Sequence, residues 1–184
     1  KQLVSNQYYL MAQLPSFAVS DDATPLPVTE QYFMELCSRF LDKKSMKILS
    51  SLSLEPPREA KKTGSAFVDN WYAKERDLRL ALAQIRAERM KKNLGTVPVV
   101  FPPDIVQAAR TATGMDSPLS AEQFLNEYRV RIVDNIAPSD SFSCDAVFMY
   151  GLKLKLATRM KKFNMEAGKA AYRVLYDQIL GESK

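Results

Sequence analysis

The amino-acid sequence predicts an all-α protein, a helical bundle of about six or seven helices built from helical hairpins. Three observations carry this. Only six glycines occur in 184 residues, fewer than a fold of many tight turns would use. Apolar residues return every three or four positions through most of the long segments, which is the helical period. Hydrophobic residues make up 46% of the chain, enough to fill a core, and with 26% charged residues the composition is not that of a disordered chain.

The segment Gln7-Tyr8-Tyr9-Leu10-Met11-Ala12-Gln13-Leu14-Pro15 reads as a short helix or strand whose two tyrosines anchor the N-terminus in the core, with aromatic contact to a partner as the less ordinary reading. Residues 18–28 carry Asp21, Asp22, Pro25 and Pro27 and read as a loop. Thr29 is placed to cap a helix bearing Phe33, Leu36, Cys37, Phe40 and Leu41. Asp42 then caps a short helix with Met46, Ile48, Leu49 and Leu52. The linker Leu54 to Gly64, with Pro56-Pro57 and Lys61-Lys62, is expected to be mobile. The longest helix runs over about 65–92, with Trp71, Leu78, Leu82 and Ile85 as one stripe. Its opposite side carries Ala73, Leu80, Ala83 and Ala87, so neighbours are expected on more than one side. Glu75 with Arg79, and Glu88 with Lys92, are spaced to pair across one helical turn.

Val97 to Pro103 is β-branched and bounded by prolines, and reads as an extended connector. It divides a region 1–96 from a region 97–184, which read either as two subdomains or as one continuous domain. Asp104 is expected to cap a short helix to about Thr113. Ser120, with Gln123 three residues on, reads as the capping box of a helix carrying Leu125, Tyr128, Ile132 and Val133. A helix opening near Ser141 or Ser143 is apolar all round from Ala146 to Leu152, the pattern of a helix surrounded by others. Asn164 is then expected to cap a separate last helix, with Tyr172, Leu175, Tyr176 and Ile179 as its core face and Gly181 at its end.

The chemistry legible in this chain is sparse. It has no histidine, which removes the commonest general base and metal ligand. Cys37 and Cys144 are spaced so that one disulfide is conceivable, but both sit in apolar helical patterns, and buried free thiols in a reducing cytoplasm are the better reading. Neither a metal site nor a cofactor site is expected, and Lys1 to Gln7 is too polar for a signal-peptide core. The candidate acids Glu75, Asp77, Glu127, Asp134 and Asp145 read first as solvated or salt-bridged groups, and Asp145 as a helix-start charge. No stretch holds the roughly 18 consecutive apolar residues of a membrane span.

The net charge of +5 is uneven: residues 58–92 and 153–184 are basic, and 93–152 between them is acidic. This reads as partly self-neutralising helix faces, or as a basic surface for an acidic partner or an anionic membrane. Nucleic-acid binding is a weaker reading, because Glu75, Asp77 and Glu88 dilute the arginines of the long helix.

Three ordered blocks carry a resemblance: Tyr8-Tyr9-Leu10-Met11-Ala12-Gln13-Leu14-Pro15, Trp71-Tyr72-Ala73-Lys74-Glu75-Arg76-Asp77-Leu78-Arg79, and Asp145-Ala146-Val147-Phe148-Met149-Tyr150-Gly151-Leu152-Lys153-Leu154. In this order the chain resembles a bacterial family encoded beside V-type ATPase subunits. That family is itself similar to a shortened form of the all-helical socket protein that sits between the rotor ring and the central stalk of those ATPases. The resemblance implies a cytoplasmic, all-helical, non-catalytic coupling protein. Its partners would be central-stalk or rotor-ring subunits, at the inner face of the membrane without spanning it. The chain is shorter than the socket protein. The alternative is a helical adaptor with an unrelated protein partner. A socket of this kind needs charged faces complementary to its neighbours. The basic clusters Arg79/Arg86 and Lys155/Arg159/Lys162 are the candidate contact faces.

Overall fold

The long helix expected around 65–92 and the apolar helix expected from about Ser141 together carry the other elements. A computed structural model of the protein describes residues 7–20, 24–91 and 100–182. Seven helices lie among them: α1 Gln7–Gln13, α2 Glu30–Phe40, α3 Lys43–Ser51, α4 Ala66–Arg89, α5 Pro103–Gly114, α6 Pro118–Asn135 and α7 Cys144–Glu182. No strand occurs among the described residues, so the fold is all-α. The helix α4 packs on α5, α6 and α7, while α1, α2 and α3 lie against α7 on the N-terminal side. One continuous core joins them, with Trp71, Phe33 and Phe148 among its largest fully buried side chains.

Local chemistry explains the element starts. Thr29 accepts from the Tyr32 N–H and caps α2, and Asp42 accepts from the N–H groups of Lys44 and Ser45 and caps α3. Gly64 has φ of +93°, a left-handed turn that glycine adopts freely, and Ser65 then caps α4 through the Val68 N–H.

Two expected caps fall elsewhere. The helix α5 starts at Pro103 after Pro102, with no side-chain cap, so Asp104 sits inside the first turn, where its carboxylate accepts from the Tyr128 hydroxyl at 2.9 Å. The helix α6 is capped by Ser117, three residues before Ser120. Proline takes the first helical position in both cases because its missing N–H is not needed there.

The last two expected helices are one. α7 runs 39 residues without a break at Asn164. Of its expected C-terminal core face, Tyr172 and Tyr176 are exposed and the side chains of Leu175 and Ile179 lie outside the described ones; the helix runs on through Gly181 to Glu182. The N-terminal tyrosines are likewise corrected. Tyr8 and Tyr9 are exposed, and Leu10 is the buried anchor of α1.

The linker 54–64 is held against α4. Arg76 donates to the Pro57 carbonyl at 3.1 Å, and the Thr63 N–H and hydroxyl both donate to Asp69 at 2.8 Å. Of the residues expected on the far side of α4, Ala87 is buried, while Ala73, Leu80 and Ala83 are exposed. Lys92 and residues 97–99 of the expected connector lie outside the described residues.

Candidate functional site

Six charged side chains form a ladder across the middle of the bundle. The helical period places Glu75 on the inner side of α4 and Arg129 on the inner side of α6, and both are buried. The Arg129 guanidinium grips the carboxylate in a two-point contact, Nε to Oε2 at 3.0 Å and Nη2 to Oε1 at 3.1 Å. Such a fork-to-carboxylate pairing is the geometry for which arginine is suited. The third nitrogen, Nη1, donates to Asn126 Oδ1 at 3.1 Å and faces Glu122 Oε1 at 3.6 Å. From there the ladder climbs to α7, where Arg159 Nη2 meets Glu122 Oε1 at 2.5 Å. On the other side Arg79 Nε donates to Glu75 Oε1 at 2.8 Å, and its Nη2 lies 3.6 Å from Glu55 in the linker. Three arginines alternate with three glutamates, so the ladder is neutral as a unit.

This ladder decides what two of the candidate contact residues do. Arg79 and Arg159 bind glutamates of their own chain. Lys155 also turns inward, with Nζ 3.1 Å from Glu30 of α2. The cluster Lys155/Arg159/Lys162 is therefore not one free basic face: of the candidate residues Arg86 and Lys162 are exposed, and Arg79, Lys155 and Arg159 are half-buried. Reversing all three charges of the α7 cluster would break contacts to α2 and α6 and disturb the fold.

The candidate acids sort by depth. Glu127 and Asp134 are both exposed, and Asp134 is bound by Lys153 at 2.6 Å. Asp145 does more than sit at a helix start. Its Oδ1 accepts from the Ser65 hydroxyl at 2.6 Å and its Oδ2 from the Phe67 N–H at 3.2 Å, so the start of α7 caps the start of α4. Arg89 donates to the Thr113 carbonyl near the end of α5, where the helix dipole favours a cation. Among the described residues, no group of three or more His, Cys, Asp or Glu could hold a metal ion, and no buried side-chain N or O lacks a partner. No described helix is long and apolar enough to cross a membrane.

Buried groups with shifted proton affinity are structural. Burial pushes the Cys37 thiol up to about 12 and the Tyr150 phenol up to about 12. Burial, and then the neighbouring Asp104, raise Tyr128. Both cysteines are free: Cys37 is buried, and Cys144 is half-buried with its Sγ 3.0 Å from Gln7 Oε1.

The outer surface carries what sequence reasoning misplaced. At the α1 end, Tyr8 stacks on Phe142 with ring centroids 4.3 Å apart, and Tyr9 meets Tyr8 edge-on at 6.2 Å. All three rings are exposed. Where the chain leaves α1, Tyr150 donates to the Pro15 carbonyl at 2.9 Å and packs on Phe17 and Phe33. The double tyrosine was visible in the sequence; the side of α1 on which it falls was not.

The fold and these features define an all-α bundle with a rigid charged interior and an exposed aromatic end. The chain matches none of the protein-family models, none of the curated proteins and none of the solved structures with which it was compared.

Proposed function

We propose that this protein is a helical protein–protein interaction module that contacts its partner through the Tyr8, Tyr9 and Phe142 end, and that the partner belongs to a bacterial V-type ATPase. The observation that carries the module reading is the stacked pair of exposed aromatic rings, Tyr8 on Phe142. Aromatic side chains that keep a fixed geometry in solvent give large contact area at small entropic cost and are the commonest anchors of binding surfaces. A bundle whose internal charges are mutually neutralised offers a stiff platform for them. The ATPase assignment rests on the resemblance of the three sequence blocks. It makes the protein a non-catalytic accessory, or a socket-like coupling protein between rotor ring and central stalk.

The test is affinity capture of the full chain from native cells, with Tyr8→Ala/Phe142→Ala as the control. Recovery of stalk or rotor-ring subunits by the parent and their loss with the double variant are expected. Recovery of another protein that depends on the same rings would keep the module reading and remove the ATPase. Capture indifferent to both rings would overturn the aromatic surface.

A further inference from the structure

The helix α7 changes character at Asn164. Up to that point it lies inside the bundle, with Val147, Gly151 and Leu154 buried along one face. Beyond it, every side chain that is described is exposed, including Met165 at 53%, Tyr172 at 68% and Tyr176 at 52%. The stretch from 165 to 182 is about 27 Å long at 1.5 Å per residue. A lone helix of that length is marginal in water and gains most from packing an apolar face.

The same face continues from the buried half into the exposed half. Steps of three and four lead from Val147, Gly151 and Leu154 on to Met165, Gly168 and Tyr172. Gly151 shows what this face does with a glycine. Its missing Cβ would sit 2.9 Å from Phe33 Cε1 and 3.2 Å from Leu49 Cδ1, so the notch is filled by an aromatic ring from a crossing helix. Gly168 offers the same notch, and among the described residues nothing lies within 4 Å of the Cβ position there. Met165 and Tyr172 stand on either side of it along the stripe.

We propose that the Gly168 notch receives Tyr172 from a second copy of this chain, in an antiparallel pair of α7 helices. The hole and the ring that fills it sit one turn apart on one helix. A two-fold axis level with residue 170 therefore satisfies both notches at once, each copy giving what it takes. The sequence from Asn164 to Glu182 holds two basic and three acidic residues, so two copies approach with little net repulsion.

The test is sedimentation equilibrium of the full chain over a wide concentration range, for the parent, Tyr172→Ala and Gly168→Val. The parent is expected to dimerise, and each substitution to weaken the dimer at least about tenfold, or 1.4 kcal/mol. Unchanged thermal melting of the core, monitored by the single tryptophan, Trp71, shows that loss of pairing is not loss of fold. A parent that stays monomeric throughout overturns the proposal, as does a dimer indifferent to both substitutions. So does a monomeric parent whose capture of a foreign helix depends on Tyr172. Tyr8→Ala/Phe142→Ala, at the other surface, is expected to leave dimerisation unchanged, so the two proposals fail separately.

Discussion

Glu75 shows at the scale of one residue how a surface-looking acid becomes interior framework. Sequence spacing pairs it with Arg79 across one turn, and that contact is present. What spacing does not reveal is Arg129, 54 residues further on, which lies on the other side of the same carboxylate. Removing one member of a buried pair leaves the other charged and unpaired, which costs far more than the pair contributes. Glu75→Gln is expected to destabilise the protein by about 3–5 kcal/mol in chemical denaturation. A joint Glu75→Leu/Arg129→Met change is expected to cost much less.

Cys37 gives a second prediction at this scale. Burial raises its folded affinity for the proton from an ordinary 9.0 to about 12. Its contribution is complete below 9.0 and is lost as pH rises towards 12, because only the unfolded chain releases the proton in that window. The stability of the parent should fall there by up to about 1.4 kcal/mol per pH unit more steeply than that of Cys37→Ala. Parallel alkaline profiles for the two proteins would contradict this.

The helix starts show at the scale of elements which local rules were legible. Thr29 and Asp42 act as read, because each stands directly before a helix with no competing signal. Asp104 and Ser120 do not, because Pro103 and Pro118 lie upstream and claim the first helical position. Both prolines are legible in the sequence as first helical positions, and at Asn164 no proline stands to stop the helix. The inward turn of Lys155 and Arg159 was not legible, since it depends on which helices lie alongside α7.

Three substitutions test element packing and capping. Gly151→Ala drives a Cβ into the Phe33 ring and is expected to cost about 1–3 kcal/mol. Gly168→Ala meets no described atom of its own chain and is expected to raise the helix signal in circular dichroism of the monomer. Asp145→Ala removes the acceptor for the Ser65 hydroxyl and the Phe67 N–H, and should cost about 1–2 kcal/mol, read from urea unfolding.

At the scale of the whole molecule, stability is concentrated where α4, α6 and α7 meet and is thin along the end of α7. Hydrogen exchange on dilute protein should find the amides of 146–160 protected close to the global unfolding limit. Those of 165–182 should exchange much faster. Uniform protection along α7 would contradict the division at Asn164. The all-α class was legible from glycine scarcity and periodicity, because both are properties of segments. The site was legible only as a list of residue types, because surface or interior is decided by segments far apart in the chain.

That distance has a consequence for how the molecule is made. Ser65 and Asp145 are 80 residues apart, yet together they finish the first turn of α4. A ribosome that has released α4 has not yet supplied Asp145, the second cap at its start, nor Arg129, the second arginine on Glu75. The front half of the nascent chain must therefore wait with its longest early helix capped by Ser65 alone and Glu75 held by Arg79 alone. Cooperative closure comes only when α7 emerges, so a chaperone that holds nascent chains should be needed up to that moment and not after it.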